Sequence, residues 1–128
     1  MNVVDSSAWL EFFADGPNAS VFSEPLEQVD LLLVPSVCLY EVFKIVLRQR
    51  GEPAALQAIA LMRQGRVVDL TERIALLAAE LSLQQKLPMA DSIILATARL
   101  HDAHIWTQDA DFEGLEGVTY VTKKQSSL

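Results

Sequence analysis

The chain has 128 residues, of which 51% are apolar and 21% charged, and its formal net charge is −7 at pH 7. This length and apolar content predict one folded domain rather than a disordered chain, and a single cysteine, Cys38, excludes a disulfide framework and a thiolate metal cluster. Because the longest apolar run covers only residues 74–79 and no signal peptide is recognisable, we expect a soluble, cytoplasmic domain with no membrane partner.

Cap and turn residues divide the chain into short strands and helices. Asp5 or Ser6 caps the first helix, Gly51 ends the third, and Thr71 caps the fifth. In chain order, the predicted elements are strand 2–5, helix 6–13, helix 19–29, strand 31–34, helix 36–49, helix 52–65, strand 66–70, helix 71–86, helix 90–102, strand 104–107 and strand 118–122. This alternation predicts an α/β fold with a central parallel sheet of four to five strands, covered by helices on both faces. We assign residues 1–122 to a single domain and residues 123–128 to a short C-terminal tail.

The basic residues are unevenly distributed along the chain. The stretch 44–66 contains five of the ten basic residues and only one acid, a local balance of +4. Such a division of charge can combine a cation-binding site with a surface for a polyanion. Solvated helix faces are the alternative interpretation of these basic side chains.

Common catalytic motifs are missing from the sequence. It has no P-loop, no dinucleotide-binding glycine motif, no H-E-x-x-H and no G-x-S-x-G. The two imidazoles, His101 and His104, are not close in sequence to a candidate nucleophile. Carboxylates therefore remain as the candidates for chemistry.

Two carboxylates stand out in the first half of the chain. Asp5 follows the first strand, where open α/β sheets place their ligands, although an aspartate can also be a simple cap there. Glu41 lies on the mostly apolar side of a helix. A salt bridge to Lys44 is the alternative explanation for Glu41, but it does not explain an acid on the apolar face.

Three more carboxylates lie in the second half. Asp91 is in the first turn of a helix, where a negative charge is also stabilised by the helix dipole. Asp109 and Asp111 follow an apolar strand, where turn formation is the alternative role. A cluster of these acids would be repulsive, since two charges about 5–7 Å apart cost about 2–3 kcal/mol. Such a cluster is expected to bind cations or protons, and oxygen ligands alone favour Mg²⁺ or Mn²⁺.

Together, these residues resemble the PIN-domain ribonucleases, and most closely the single-domain VapC-type toxins of type II toxin–antitoxin systems. The resemblance covers about residues 2–122. It rests on four motifs in order: Val4-Asp5-Ser6-Ser7, Glu41 in a helix opened by Pro35-Ser36, Pro88-x-x-Asp91, and Thr107-x-Asp109-x-Asp111-Phe112. It implies a three-layer α/β/α PIN-like domain.

The resemblance also implies an activity and a site. Residues at the positions of Asp5, Glu41, Asp91 and Asp109 form the catalytic metal site in that family, and Asp111 matches an additional acid. Ser7 and Thr107 match hydroxyl residues that orient carboxylates or water, and Lys44, Arg48 and Arg63 are our candidates for RNA contacts. The implied function is a Mg²⁺- or Mn²⁺-dependent endoribonuclease in which a metal-activated water hydrolyses RNA phosphodiesters. The implied partners are an RNA substrate, a cognate antitoxin and a second copy of the chain.

Other functions are considered beside the toxin. A PIN nuclease in RNA maturation or decay has the same fold and site, and a domain that binds RNA or a partner without cutting is the non-enzymatic alternative. A phosphoacceptor receiver domain is disfavoured because Ser6, rather than a second acid, follows Asp5. A dehalogenase-like phosphatase is disfavoured because Ser7 stands where its second aspartate belongs.

Overall fold

A five-stranded parallel sheet forms the centre of the molecule, in a computed structural model that describes residues 1–125. The strands are β1 (Asn2–Val4), β2 (Leu32–Pro35), β3 (Arg66–Val68), β4 (His104–Thr107) and β5 (Val118–Tyr120). Their order across the sheet is β3-β2-β1-β4-β5, and every neighbouring pair is parallel. The predicted α/β class is confirmed.

Two helices separate each of the first three strands from the next. The helices are α1 (Ser6–Phe13), α2 (Ala19–Glu27), α3 (Ser36–Arg50), α4 (Glu52–Met62), α5 (Glu72–Gln85) and α6 (Met89–Leu100). Short 3-10 turns at Val29–Leu31 and Ala110–Phe112 complete the connections. Because crossovers between parallel strands are right-handed, reversing the direction of strand addition after β3 places helices on both faces of the sheet. The result is a three-layer α/β/α architecture.

The direction of strand addition reverses around β1. The chain adds β2 and β3 on one side of β1 and then returns to add β4 and β5 on its other side. The carboxyl ends of β1 and β4 therefore border a crevice at a topological switch point, which is where open α/β sheets bind ligands.

Strands β1 and β2 are mostly apolar because their residues are buried on both faces of the sheet. All four residues of β2 are buried, and Val3 and Val4 of β1 are fully inaccessible. The largest fully buried side chains include Phe22, Phe112, Leu33, Met62 and Ile94. A sheet covered on both faces needs apolar side chains at successive positions.

Most element boundaries agree with the sequence prediction within a few residues. The first strand ends at Val4 because the Asp5 carboxylate accepts a hydrogen bond from the backbone N–H of Ala8 and so caps α1. Helix α3 ends at Gly51 as predicted, where the backbone takes a φ of +87° that favours glycine. Helix α4 ends at Met62, three residues before the predicted end.

The C-terminal tail is described only in part. Residues 123–125 lie outside the strands and helices, and residues 126–128 of the predicted tail are outside the described residues. Within residues 1–125, none of the helices has the length and apolar character that crossing a bilayer requires.

Candidate metal centre

Several predicted acids occupy element ends at the carboxyl edge of the sheet. Asp5 immediately follows β1, and Asp109 is the second residue after β4. Asp91 lies in the first turn of α6, which leads into β4, and Glu41 lies in the second turn of α3, which follows β2. The parallel topology thus brings residues that are up to 104 positions apart in sequence to one side of the sheet.

Three of the acids form a compact group, which we call the acidic triad: Asp91, Asp109 and Asp111. Each offers one carboxylate oxygen, and these oxygens all lie within 4.8 Å of one another. Asp91 is buried, Asp109 is half-buried and Asp111 is exposed, so the group opens from the interior to solvent. The Asp109 carboxylate also accepts a 2.9 Å hydrogen bond from the Asp111 backbone N–H, which fixes the turn after β4.

The charge state of Asp91 reflects this crowding. Burial raises its pKa to about 8, assisted by the charges of Asp109, Asp111 and Asp5 and by a hydrogen bond with Asp111. Each of these effects favours the neutral acid because it makes a further negative charge at this position unfavourable. A cation held by the triad would reverse the balance and ionise Asp91.

The neighbours of Asp5 are hydrogen-bond donors, which oppose the effect of burial on its pKa. Its Oδ1 accepts hydrogen bonds from the Ser7 hydroxyl (2.8 Å) and the Ala8 N–H (3.1 Å), and its Oδ2 accepts one from the Thr107 hydroxyl (2.8 Å). Burial raises the pKa of Asp5 to about 6 even though these three donors lower it. Because an ionised carboxylate has about four lone-pair sites, Oδ2 keeps one site for a cation.

Thr107 connects Asp5 to the triad. Its hydroxyl accepts a 2.9 Å hydrogen bond from the Asp109 backbone N–H, so its own hydrogen is available to donate to Asp5. The Ser7 and Thr107 hydroxyl oxygens are 3.5 Å apart. Both residues predicted to orient carboxylates thus contact Asp5 directly.

Glu41 is held beside Asp5 by a residue of the first helix. The Ser6 hydroxyl donates a 2.7 Å hydrogen bond to Glu41 Oε1. The buried Cys38 thiol lies among the same groups: burial raises its pKa, and the charges of Asp5, Glu41 and Asp91 raise it further. Asp5, Glu41 and Asp91 are therefore all close enough to the Cys38 thiol for their charges to raise its pKa.

The structure distinguishes three acids that share a compact space from two that border it. Asp91, Asp109 and Asp111 have mutually close oxygens, Asp5 interacts with Asp91 and Asp109 through its charge, and Glu41 is bonded to Ser6, the residue after Asp5. The ligand atoms on offer are all carboxylate oxygens, which suit a hard divalent cation. After burial, the charges of the neighbouring acids contribute most to the raised pKa of Asp91, and such a cation would compensate those charges. The donor set therefore fits Mg²⁺ or Mn²⁺.

The predicted basic residues lie on α3 and directly after α4. Lys44 is exposed, and its ammonium lies 5.6 Å from the centre of the Tyr40 ring. Arg63 is exposed at the end of α4. Arg48 lines a groove of about 500 Å³ between α1, α3 and α4, which we call the α1–α3–α4 groove.

This groove leads away from the acids. Ser7 and Gln108, which border Asp5 and Thr107, form part of its lining, and further along it is lined by Arg48, Arg50 and Lys123. Its walls are largely apolar, with side chains from α1, α3 and α4: Leu10, Phe13, Ile45, Ala54, Ala58 and Leu61.

The contacts of some polar residues at the site could not be predicted from the sequence. Ser6 was expected only as an alternative cap, yet it holds Glu41. Asn18 and Gln108 are buried and bonded to each other across 90 positions. An asparagine after a Gly-Pro turn and a glutamine after a strand are typical of surface loops, so no periodicity or spacing could have paired them.

Comparison with known proteins supports the geometry. The family model for the PIN domain matches residues 3–118. Among curated protein sequences, none matches the chain significantly.

Solved structures share the fold at low sequence identity. A chain of a toxin–antitoxin complex from Klebsiella pneumoniae superposes with a TM-score of 0.80 and 22% identity, covering 93% of this chain and 96% of that one. Mycobacterium tuberculosis VapC20, described as a toxin that cleaves the sarcin–ricin loop, has a TM-score of 0.77 and 19% identity, with 92% and 97% coverage. A chain of the DNA-bound VapBC2 complex from Rickettsia felis has a TM-score of 0.71 and 13% identity, with 94% and 97% coverage. With its family model matched over most of its length, the chain belongs to the PIN-domain family.

Proposed function

We propose that this chain is a Mg²⁺- or Mn²⁺-dependent endoribonuclease that acts in the cytoplasm as the toxin of a toxin–antitoxin pair. The observation that carries the proposal is the acidic triad beside Asp5 at the switch point of a PIN-domain sheet. Residues 1–122 would act as a single domain.

The acids have separate tasks in this proposal. Asp91, Asp109 and Asp111 would hold the cation together with Asp5, and Glu41, bonded to Ser6 beside Asp5, would complete the acidic site. When bound, the cation supplies activation of water and neutralisation of charge at the scissile phosphate.

The hydroxyl residues hold the carboxylates in position. Ser7 and Thr107 fix both oxygens of Asp5, and Ser6 fixes one oxygen of Glu41. Restricting the carboxylates in this way favours one arrangement of the ligands over a mobile set. Arg48 in the groove, with Lys44 and Arg63 nearby in the sequence, would attract the RNA phosphates that the acids repel.

A toxin role follows from the kind of proteins that share the fold. Three similar structures are toxins or components of toxin–antitoxin complexes. The apolar walls of the α1–α3–α4 groove suit an amphipathic segment of an antitoxin, and a basic residue of that segment could enter the acidic triad in place of the cation. Antitoxin and RNA would then compete for the same groove.

A homodimer is the remaining part of the proposal. Leu76 and Leu83 lie seven positions apart on one face of α5 and are 63% and 85% exposed. The exposed Ala79 between them and the exposed Ala75 just before Leu76 leave room for a second helix to approach closely. We expect two copies to pair through this face, so Leu83→Glu should convert a dimer to a monomer in light-scattering measurements.

The nuclease proposal is tested with purified protein and single-stranded RNA. Cleavage should require Mg²⁺ or Mn²⁺, stop on chelation with EDTA, and be lost in Asp91→Asn. Asp102→Asn is the matched control, because Asp102 is exposed at the opposite end of α6 and its φ of +50° suits asparagine. Cleavage that survives EDTA, or equal loss of activity in both variants, would contradict the proposal.

A further inference from the structure

A buried pair of amides lies beside the metal centre. Asn18 is fully buried and Gln108 is 6% exposed. The Asn18 amide nitrogen donates to Gln108 Oε1 and to the backbone carbonyl of Thr122, each at 3.0 Å. The pair ties the start of α2 to the segment after β4 and to the chain beyond β5.

The Thr122 carbonyl determines how both amides are oriented. A carbonyl oxygen can only accept, so the Asn18 group that faces it must be the NH₂. Both hydrogens of that NH₂ are then used, and the atom of Gln108 that faces Asn18 must be the oxygen. In this orientation Asn18 Oδ1 is buried without a hydrogen-bond partner among residues 1–125. Since an unpaired buried oxygen is unfavourable, the two donor bonds evidently outweigh its cost.

This orientation leaves the NH₂ of Gln108 as a donor group without a partner among the described residues. Its oxygen is occupied, and within the described residues 1–125 its NH₂ has no hydrogen-bond acceptor and is not among the buried unpaired atoms. Gln108 also lines the α1–α3–α4 groove next to Ser7. The NH₂ of Gln108 is therefore accessible from the groove at the point where the groove meets the acids.

The location of Gln108 in the chain ties it to the reacting centre. It lies between Thr107, which binds Asp5, and Asp109 of the triad. Its backbone N–H faces the Ser7 hydroxyl at 3.4 Å. A group placed here would contact RNA within about one nucleotide of a phosphate held at the triad.

We propose that the Gln108 NH₂ donates a hydrogen bond to a sugar–phosphate oxygen of the RNA next to the scissile bond, and that Asn18 is the positioning residue that orients it. This inference rests on the proposed function. A neutral amide suits the task, since it offers hydrogens to a backbone oxygen without competing with the acids for a cation or pairing with them as a lysine or arginine would.

The first test is Gln108→Met, which preserves size and removes the amide. Steady-state cleavage should show KM raised about tenfold on every RNA sequence tried, with kcat changed less than about twofold, because a contact made equally in ground and transition states affects KM alone. The salt dependence of RNA binding, measured in EDTA, should keep its wild-type slope because no charge is removed. Gln28→Met is the matched control, since Gln28 is exposed next to the amino end of β2.

The second test separates positioning from folding. Asn18→Asp keeps the shape of the side chain but removes the NH₂ that orients Gln108. KM should rise as in Gln108→Met, and the double variant should be no worse than either single one. If Asn18 were merely structural, the melting temperature would fall while KM at a temperature below unfolding stayed at its wild-type value.

A direct readout avoids activity altogether. In wild-type protein with EDTA present, adding single-stranded RNA should shift the side-chain NH₂ resonances of Gln108 in a ¹⁵N-edited NMR spectrum. Unmoved resonances with saturating RNA, or a KM equal to wild type in Gln108→Met, would overturn the inference while leaving the nuclease proposal intact. A changed base preference in Gln108→Met would overturn the assignment to a backbone oxygen. If the wild-type protein neither binds nor cuts RNA, the proposed function fails first.

Discussion

Two aspartates at the metal centre show how neighbours determine the behaviour of one residue type. Asp5 and Asp91 are both buried, and burial is the largest cause of the raised pKa of each. Three hydrogen-bond donors restrain the rise at Asp5, whereas three other acids add to it at Asp91. Asp91 is therefore the acid whose ionisation depends most on a bound cation.

The first prediction concerns the stability of metal-free protein in Asp91→Asn. The folded-state pKa of Asp91 is about 8 and its ordinary value is 3.8, so between these values the folded state keeps a proton that the unfolded state has released. Stability must then fall as pH rises from about 4 to 8, by at most about 1.4 kcal/mol per pH unit. Asparagine carries no such charge, and at pH 8 in EDTA we expect the variant to be roughly 1–3 kcal/mol more stable than wild type.

Chemical denaturation at two pH values checks this expectation. The gain from Asp91→Asn should be small at pH 5 and largest at pH 8, while the control Asp102→Asn should change stability equally at both. A variant that is less stable than wild type at pH 8 would show that the acids are not crowded in the metal-free protein.

The second prediction concerns the hydroxyl of Thr107. Thr107→Val preserves shape but leaves Asp5 Oδ2 and the Asp109 N–H without their partner. We expect a loss of about 1–3 kcal/mol of stability and weaker Mn²⁺ binding, measured by calorimetry, because Asp5 is no longer oriented. Thr107→Ser should restore most of both properties, and Thr122→Val, at an exposed position, should change neither. A loss in the serine variant together with wild-type behaviour of the valine variant would assign the role to the methyl group instead.

At the scale of elements, the α1–α3–α4 groove gathers three of the chain's ten cationic side chains. Arg48 and Arg50 come from the last turn of α3, and Lys123 comes from the segment after β5. The first helix divides its aromatic residues between core and groove, since Trp9 is 3% exposed and stacks on Phe13 at 5.6 Å while Phe13 lines the groove.

The third prediction tests this groove with Arg48→Ala. RNA affinity should fall for all sequences, and the slope of log K against log salt should decrease by about 0.7 for each lost phosphate contact on a single strand. Arg63→Ala should have a smaller effect, because Arg63 does not line the groove. The exposed Arg73 of α5 offers a matched control, and a wild-type slope in Arg48→Ala would identify Arg48 as a solvated surface residue.

The order and type of the elements could be predicted because their signals are local. Wholly apolar runs such as residues 31–34 identify buried parallel strands, and Gly51 and Thr71 mark helix ends by conformation and capping. Boundaries shifted where a side chain had a competing role: Asp5 ends β1 because its carboxylate is needed as the cap of α1.

The site was only partly predictable, since its details depend on contacts between distant segments. Strand-end position indicated Asp5, Asp109 and Asp111, but which carboxylates share one space depends on how α6 packs against the sheet. The Ser6 contact to Glu41 spans 35 positions, and the Asn18 contact to Gln108 spans 90. Polar pairs of this kind have no periodicity, so only the folded geometry reveals them.

For the whole molecule, a cation bound by the acids at the switch point would stabilise the folded state. The fourth prediction is that Mg²⁺ or Mn²⁺ raises the melting temperature, by an amount corresponding to about 2.7 kcal/mol at a cation concentration of 100 times Kd. Asp91→Asn should reduce this rise, while Asp102→Asn should retain it. Calorimetry with Na⁺ at matched ionic strength separates specific binding from screening, and an equal rise with Na⁺ would exclude a specific site.

The last prediction concerns a second protein. If the proposed function holds, the ribonuclease would harm its own cell unless something restrained it, and residues 1–125 place no segment across the triad or the groove that could serve as a lid. We therefore expect expression of the wild-type chain to arrest growth, expression of Asp91→Asn to be harmless, and co-expression of a small protein encoded beside this gene to relieve the arrest.

That protein should present an apolar segment to Leu10, Phe13 and Leu61 and a basic residue to the acids. Leu61→Asp should then weaken its binding, measured by calorimetry, while the RNA cleavage expected of the free chain should continue. Harmless expression of a chain that cuts RNA in vitro, with no such neighbour, would instead favour a nuclease of RNA maturation or decay.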